Sequence, residues 1–406
     1  MRNYNTVKVH FETVLCKHPT DNCEIVLSIN QIKILATYED ENYIGFEGKS
    51  TSKEGVCKHC GQVIKKIKDH KTTCTTIGKY NSKNIILKLT KTLYYCSDCD
   101  SSTTERLLDV TGNQQKTDSF LKSMLSSLKE MVTFSAIARM YKVSVSNVIR
   151  HFDQAEFVEN QVNPSTVRNL SIDEVRFIKL KHANYQCVLM DADTRQIITI
   201  LETRQKKFVK KHVSSMFKTL DTITQDLWSP YRSIAHSCFP EAKVIADPFH
   251  VVRQFMWAFS RTRVALAKEH GVKTSRNWRL LTKRYSRLDK RGKEKVALLL
   301  ENNPALMAAH VAKELALEMF SCKDKNLYIK LLQNFKDFID ENTLDEFQIA
   351  YKSAKNWHNE ILNMLDSDYS NGAIERANRV IKQSKNIAFG FLNLTRATKL
   401  VQYRIN

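Results

Sequence analysis

Nothing in this chain of 406 residues approaches the roughly 20 consecutive apolar residues that a membrane-spanning helix needs. The opening Met1-Arg-Asn-Tyr-Asn5 likewise lacks the apolar centre of a signal peptide. These absences argue against a membrane protein and predict an intracellular one. In a reducing compartment the ten cysteines are not expected to form a disulfide framework, so attention falls on those at metal-ligand spacing. Acid is the other shortage: 43 Asp and Glu face 63 Lys and Arg, for a formal charge of +20 and a pI near 9.4. Such an excess favours a polyanionic partner, because cations that neutralise phosphates release condensed counterions. The apolar and charged fractions, 42% and 26%, are those of an ordinary soluble globular protein. The length suits about two to four domains with at least one sizeable core.

Cys57-Lys-His-Cys60-Gly and Cys96-Ser-Asp-Cys99 each set two thiols across one tight turn, the spacing at which both thiolates reach a single tetrahedral zinc. The run from Asn84 to Tyr95 reads as a β-strand leading into the second pair. Residues 56–110 are therefore expected to be a zinc ribbon, after an N-terminal region, 1–55, in which no chemistry is legible. His70 with Cys74 offers a rival completion of the first pair, whereas Cys16 and Cys23 read as buried thiols.

From Asp118 the apolar spacing becomes helical, with Phe120, Leu121, Met124, Leu125, Leu128 and Met131 recurring on one side. A short helix with Ile137, Ala138 and Tyr141 inward, a Lys142-Val-Ser144 turn, and a second helix with Val148 and Phe152 inward predict a helix-turn-helix domain over 115–160. Its second helix would present Ser146, Asn147, Arg150 and His151 outward, where a major groove can be read. An ordinary helical hairpin has the same spacing; small Ala138 at the crossing and the basic outer face favour DNA.

The densest β signal follows. Asn169 to Phe177, Asn184 to Met190 and Gln196 to Thr203 are short apolar runs separated by turn-length segments. A helix comes next, with Phe208, Val213, Met216, Phe217 and Leu220 on one face and Lys206, Lys207, Lys210 and Lys211 elsewhere. Thr222 to Leu227 reads as a strand, Tyr231 to Phe239 as a helix and Ala242 to Ala246 as a strand, and Pro248 opens a helix at its favoured first position. Three strands, helix, strand, helix, strand, helix is the order of an α/β RNase H-like domain, whose first part is placed at 165–265. Strands then disappear, and 266–365 reads as a helical insertion. Its run from Lys283 to Lys295 suits a solvated face or a grip on DNA. The last segment, 366–406, brings a helix on which Glu375 shares a face with Asn378, Arg379 and Lys382.

Strand ends repeatedly deliver a carboxylate: Asp173, Asp226 and Asp247 each close a β-like run, and Glu375 waits on the late helix. In the expected sheet the first and fourth strands are neighbours, which sets Asp173 beside Asp226 and lets the helix carry Glu375 across. Oxygen ligands suit magnesium or manganese, and phosphodiester chemistry uses two such ions about 4 Å apart. Singly, each acid has a plainer reading as a turn residue, a residue before proline, or a helix cap beside Asn371. Strand parity alone does not choose between Asp173 and Glu174.

Together these residues resemble the ISL-three family of bacterial insertion-sequence transposases. The likeness runs through the two cysteine pairs, the helix-turn-helix, Ile172-Asp-Glu174, Asp226-Leu-Trp-Ser-Pro-Tyr231, Ala246-Asp-Pro-Phe-His-Val-Val252, Ser370-Asn-Gly-Ala-Ile-Glu-Arg-Ala-Asn378, Ala388-Phe-Gly-Phe391 and Arg404-Ile405. The family pattern has Gly where Arg376 stands. The resemblance implies a DDE transposase that cuts the ends of its own element and joins them to target DNA. Its triad would be Asp173, Asp226 and Glu375, holding magnesium or manganese, with Asp247 and His250 supporting beside the scissile phosphate. It implies a structural zinc on Cys57, Cys60, Cys96 and Cys99, a homodimer or higher assembly on DNA, and a cytoplasmic, nucleoid-associated setting. The alternatives are a DNA-binding regulator that keeps the fold without the cutting, and a nuclease that cuts without joining.

Overall fold

The computed structural model describes residues 32–106, 115–157, 161–269, 276–301 and 303–406; Cys16, Cys23 and the N-terminal run before them lie outside this set. The chain divides into two compact units, 1–156 and 157–406. No helix among the described residues is long and apolar enough to cross a membrane.

In the first unit, β1 (Ile32–Glu39) and β2 (Tyr43–Ser50) join a sheet with β5 (Ile67–Tyr80), β6 (Lys83–Cys96) and β7 (Ser101–Thr104). The order is β1-β2-β6-β5, with β7 also on β6, so strands from the region read as separate share one sheet with the cysteine-bearing segment. β5 and β6 form a long antiparallel hairpin whose turn places Asn81 at φ 50, a left-handed position that Asn tolerates. Ile32, Ile77, Ile85, Leu87 and Leu89 form its core. Two short strands, β3 (Gly55–Val56) and β4 (Val63–Ile64), pair to carry the first cysteine turn.

Three helices follow: α1 (Asp118–Ser126), α2 (Phe134–Met140) and α3 (Val145–Gln154). Each begins on a hydroxyl that accepts from a backbone N–H in the first turn, Thr117 from Phe120, Thr133 from Ala136 and Ser144 from Asn147. The apolar spacing runs on to Met131, but the helix stops at Ser126, tightens into a 3-10 turn and ends with Met131 at φ 55. Ile137, Ala138, Tyr141, Val148 and Phe152 are buried between the helices as their spacing requires.

The second unit is built on a five-stranded sheet in the order β10-β9-β8-β11-β12. Its strands are β8 (Asn169–Val175), β9 (Gln186–Asp191), β10 (Ile197–Leu201), β11 (Thr222–Gln225) and β12 (Lys243–Ala246). β8, β9 and β10 are antiparallel neighbours, whereas β8, β11 and β12 run parallel. Helices α4 (Lys206–Met216) and α5 (Ser229–Cys238) supply the crossovers and cover one face, where Val209, Val213, Tyr231 and Ile234 meet Leu170, Ile172, Ile223 and Val244. On the other face Ile374, Ala377, Ile381, Ala397 and Val401, from α12 (Gly372–Ile387) and α13 (Leu394–Ile405), pack on Val188, Met190, Ile197 and Ile200.

Between β12 and α12 the described residues form helices joined by short loops, with no strand among them. α6 (Pro248–Glu269) leads into α7 (Lys290–Glu301), α8 (Pro304–Met319), α9 (Lys325–Glu341), α10 (Asp345–Asn356) and α11 (His358–Leu365). These share a core of Phe255, Phe259, Phe335, Phe347 and Trp357. Lys313 is fully buried there, yet satisfied: its ammonium donates to the carbonyls of Leu281 and Lys283 at 2.8 and 2.7 Å and pairs with Glu314.

Candidate active site

Register brings the strand-end acids together. Gln225 aligns with Ile172 on one side and with Ala246 on the other. The next residue in each case is an acid: Asp226 and Asp247 directly follow β11 and β12, and Asp173 lies beside them within β8, which runs on for two residues to Val175. The three acids thus gather towards the carboxyl ends of three adjacent parallel strands, where open α/β sheets bind their ligands. Pro248 starts α6 at once and folds His250 back over the strand end. Its backbone N–H donates to the Asp247 carboxylate at 3.3 Å, in the manner of a helix cap. The His250 Nδ1 then lies 2.6 Å from Asp247 and 2.9 Å from Asp226.

The electrostatics follow from this crowding. Burial alone would pull His250 down, but hydrogen bonds to Asp226 and Asp247 and their charges outweigh it and push it up to about 9. The imidazolium therefore neutralises part of the acid cluster. Burial, with the neighbouring Asp226 charge second, pushes Asp173 up to about 7. Asp173 is held from two sides: the Glu174 backbone N–H donates to one carboxylate oxygen at 2.7 Å and the Asn378 amide donates to the other at 2.6 Å. Glu174 itself is engaged in an ion pair with Arg204, whose guanidinium stacks on Trp228 and Tyr185. Of the two adjacent acids, Asp173 is thus the one directed at the cluster.

Glu375 is delivered by α12. The Asn371 that precedes this helix donates its backbone N–H to Asp247 at 3.2 Å and its side-chain amide to Asp226 at 3.3 Å. At 3.6 residues per turn, Asn371, Glu375 and Asn378 fall within about 60° of one another around the helix, so Glu375 lies on the face that is docked to the acids. The side chain is half-buried, and Glu375 and Asp173 both stand outside the tight group of Asp226, Asp247 and His250, whose donor atoms all lie within 4.8 Å of one another. The amide oxygens of Asn371 and Asn378 are buried without a hydrogen-bond partner, and carboxylates of this density suit a hard divalent cation with its waters. Alongside runs a cleft of about 130 Å³, lined by Glu174, Asp226, Trp228, His250, Arg253 and Trp257 among others.

The model of the ISL-three DDE family, described as a transposase, matches residues 170–399 of this chain. The chain belongs to that transposase family. No curated protein matches it. Among solved structures, the strand transfer complex of the Drosophila P element transposase aligns at 10% identity over 73% of this chain and 92% of that one. Its TM-score is 0.37, a likeness too slight to fix even the fold.

In this transposase the Sγ atoms of Cys57, Cys60, Cys96 and Cys99 also lie within 4.8 Å of one another, with Cys60 and Cys96 at 3.8 Å. Zinc–sulfur bonds of about 2.3 Å in a tetrahedron put sulfurs about 3.8 Å apart, so the four thiols fit that ion. The first turn is shaped by Gly61 at φ 74, whose N–H donates to the Cys57 carbonyl at 3.0 Å. Backbone N–H groups of Cys60 and His59 pull the Cys57 thiol down to about 6, whereas the hydrogen bond with Cys60 and burial push Cys99 up to about 12, so in the metal-free cluster Cys57 is the first thiol to give up its proton. His70 and Cys74, the rival ligands, sit exposed on β5 opposite Thr92 and Lys88 and outside the cluster. On α3, Ser146 and Arg150 are exposed, whereas Asn147 and His151 are half-buried, and burial pulls His151 below its ordinary value.

Two functional residues escaped sequence reasoning in their actual role. Asn371 read only as a helix cap and Asn378 only as a companion of Glu375, yet both orient the strand-end acids. The signal was present: amides four residues before and three after an acid share its helix face. Arg379 and Lys382, read on that same face, are instead exposed.

Proposed function

We propose that this transposase cuts and joins DNA by a DDE mechanism in an RNase H-like domain, with Asp173, Asp226 and Glu375 as the metal-holding triad. The observation that carries the reading is the pairing of two aligned strand-end carboxylates with a helix whose asparagines hold them and whose glutamate lies between those asparagines. Magnesium or manganese, when bound, supplies activation of the attacking hydroxyl or water and stabilisation of the leaving oxygen.

The chain's own residues do the remaining work. Asn378 and Asn371 fix the Asp173 and Asp226 carboxylates, so little reorganisation is needed when a cation and a phosphodiester arrive. His250 keeps its Nδ1 proton between Asp226 and Asp247, leaving its other N–H as a donor to a non-bridging phosphate oxygen. Cutting by water and joining by the freed 3′ hydroxyl then need neither a covalent protein intermediate nor nucleotide energy.

In the other unit the zinc ribbon on Cys57, Cys60, Cys96 and Cys99 and the helix-turn-helix of α2 and α3 bind the terminal inverted repeats, with Ser146, Asn147, Arg150 and His151 towards the major groove. Two ends cut together call for a homodimer or higher assembly on DNA, and the setting is the cytoplasm, on the nucleoid. The domains are those expected from the sequence, except that β1 and β2 of the N-terminal region belong with the ribbon whose β6 they extend.

The test is magnesium- or manganese-dependent nicking and joining of a plasmid carrying the element's own ends, by the full chain and by Asp226→Asn. Loss of both activities in the variant with end binding retained supports the reading. Tight end binding by the unaltered chain with no cutting in either metal would favour a DNA-binding regulator instead.

A further inference from the structure

The loop between α12 and α13 turns two large apolar side chains fully into solvent: Phe389 and Leu392 are 100% and 102% exposed. It is not a slack loop. The Gly390 N–H donates to the Lys385 carbonyl at 2.9 Å and that of Phe389 to Asn386 at 3.2 Å. Phe391, between the two exposed residues, packs edge-on against the buried Phe177, ring centres 5.4 Å apart. Lys385 donates to the Arg176 carbonyl at 3.2 Å, and Arg404 ties α13 to Ser384 of α12. Phe389 holds φ 53, a left-handed conformation that is costly for an aromatic residue. The surrounding structure therefore spends conformational energy to present a side chain that touches nothing.

The surroundings say what would touch it. From Arg376 to the last residue, Asn406, there are seven Lys or Arg and no Asp or Glu. The segment that meets the loop, between Glu174 and Asp191, is also free of acids and carries Arg176, Lys179 and Lys181, all exposed. An apolar tip in a frame rich in cations, with Glu202 beside His182 as an acid at its edge, is complementary to DNA, whose phosphates take the cations while an unstacked base step accepts the apolar side chain. It is a poor match for a second copy of the same basic surface.

We propose that Phe389 and Leu392 form a wedge that enters a DNA base step and unstacks it while α12 and its cations track the backbone. The inference rests on reading the acids at the start of α12 as the cutting centre. From Glu375 to Phe389 the helix advances about 20 Å at 1.5 Å per residue, which is roughly six base pairs of B-DNA. The unstacked step is accordingly expected at about that distance from the cut phosphate.

Permanganate oxidation of unstacked thymines, read on a duplex carrying the element's end and on a plasmid target, tests this with the full chain and with Phe389→Asn combined with Leu392→Ser. Asn is chosen at 389 because it tolerates a positive φ. The unaltered chain should create a reactive thymine roughly six base pairs from the cut site. In the double variant that reactivity should vanish and joining should fall at least about tenfold, with nicking changed less than about threefold. Nicking without any reactive thymine, or reactivity that persists in the variant, overturns the wedge and leaves the cutting centre standing. A reactive thymine without nicking supports the wedge and removes the cutting centre. A DNA-free dimer that the double variant dissociates in sedimentation would make the loop a seam between copies and overturn the wedge.

Discussion

Asn378→Ala isolates the support of Asp173. The amide donates at 2.6 Å to a carboxylate only 6% exposed. A hydrogen bond to a charged group contributes about 1.5–3 kcal/mol, and 1.36 kcal/mol corresponds to one pKa unit. Removing a donor that favours the ionised form should therefore raise Asp173 from about 7 by a further one to two units, order of magnitude. Protons compete with cations for this carboxylate, so the half-saturating concentration of manganese for nicking should fall as pH rises and level off above the Asp173 value. In the unaltered chain the levelling belongs just above pH 7; in Asn378→Ala it should move up by at least about one unit, with activity near neutral pH down about 10–100-fold. Nicking of labelled end duplexes across pH 6–9.5 and a manganese series measures both. An Asn378→Ala profile scaled down but unmoved in pH, together with lower thermal stability, would refute the reasoning and reduce Asn378 to a packing residue.

Three further outcomes follow from the same geometry. Without divalent metal, His250 is protonated more readily in the folded chain, about 9 against 6.5, so its contribution is complete below pH 6.5 and is lost as pH rises through 9. Denaturant titrations should show stability falling across that window by up to about 3 kcal/mol, and His250→Gln should flatten the fall. Cys96→Ser should lower bound zinc from about one per chain and, by hydrogen exchange, loosen β3, β4 and the end of β6, while circular dichroism in the presence of zinc shows the second unit still folded. Arg150→Ala should weaken end binding and reduce the slope of log affinity against log salt by about one if it meets a phosphate. An unchanged slope with relaxed sequence preference would assign it to a base edge instead.

What was legible in the sequence was local. Pro248 and the apolar spacing put the strands and helices between Asn169 and Ala246 within a few residues of their observed ends, because those signals act within one or two turns. Asp173 and Asp226 were placed together because strand neighbours follow from element order. The joining of the β1–β2 pair to the sheet, through β2 on β6, was not legible, since parallel pairing of Tyr43 with Asn84 leaves no mark between them in the chain. The commitment of Glu174 to Arg204 was equally hidden: it depends on β10 ending where its loop can cross back over β8, which no spacing rule encodes.

The helical insertion explains why the centre had to be assembled by amides as well as acids. Between Asp247 and Glu375 the chain builds an entire helical core, so Glu375 arrives with no strand register to position it. A carboxylate added to three others would be repelled unless its helix were fixed independently. Asn371 and Asn378 do this without adding charge: they donate to Asp226, Asp247 and Asp173 and thereby lock α12 in rotation. A lysine at either position would neutralise a carboxylate and compete with a cation, whereas a leucine would leave buried oxygens unpaired at a cost of about 1–3 kcal/mol each. A neutral donor is the side chain that holds the helix and still leaves the negative charge for metal.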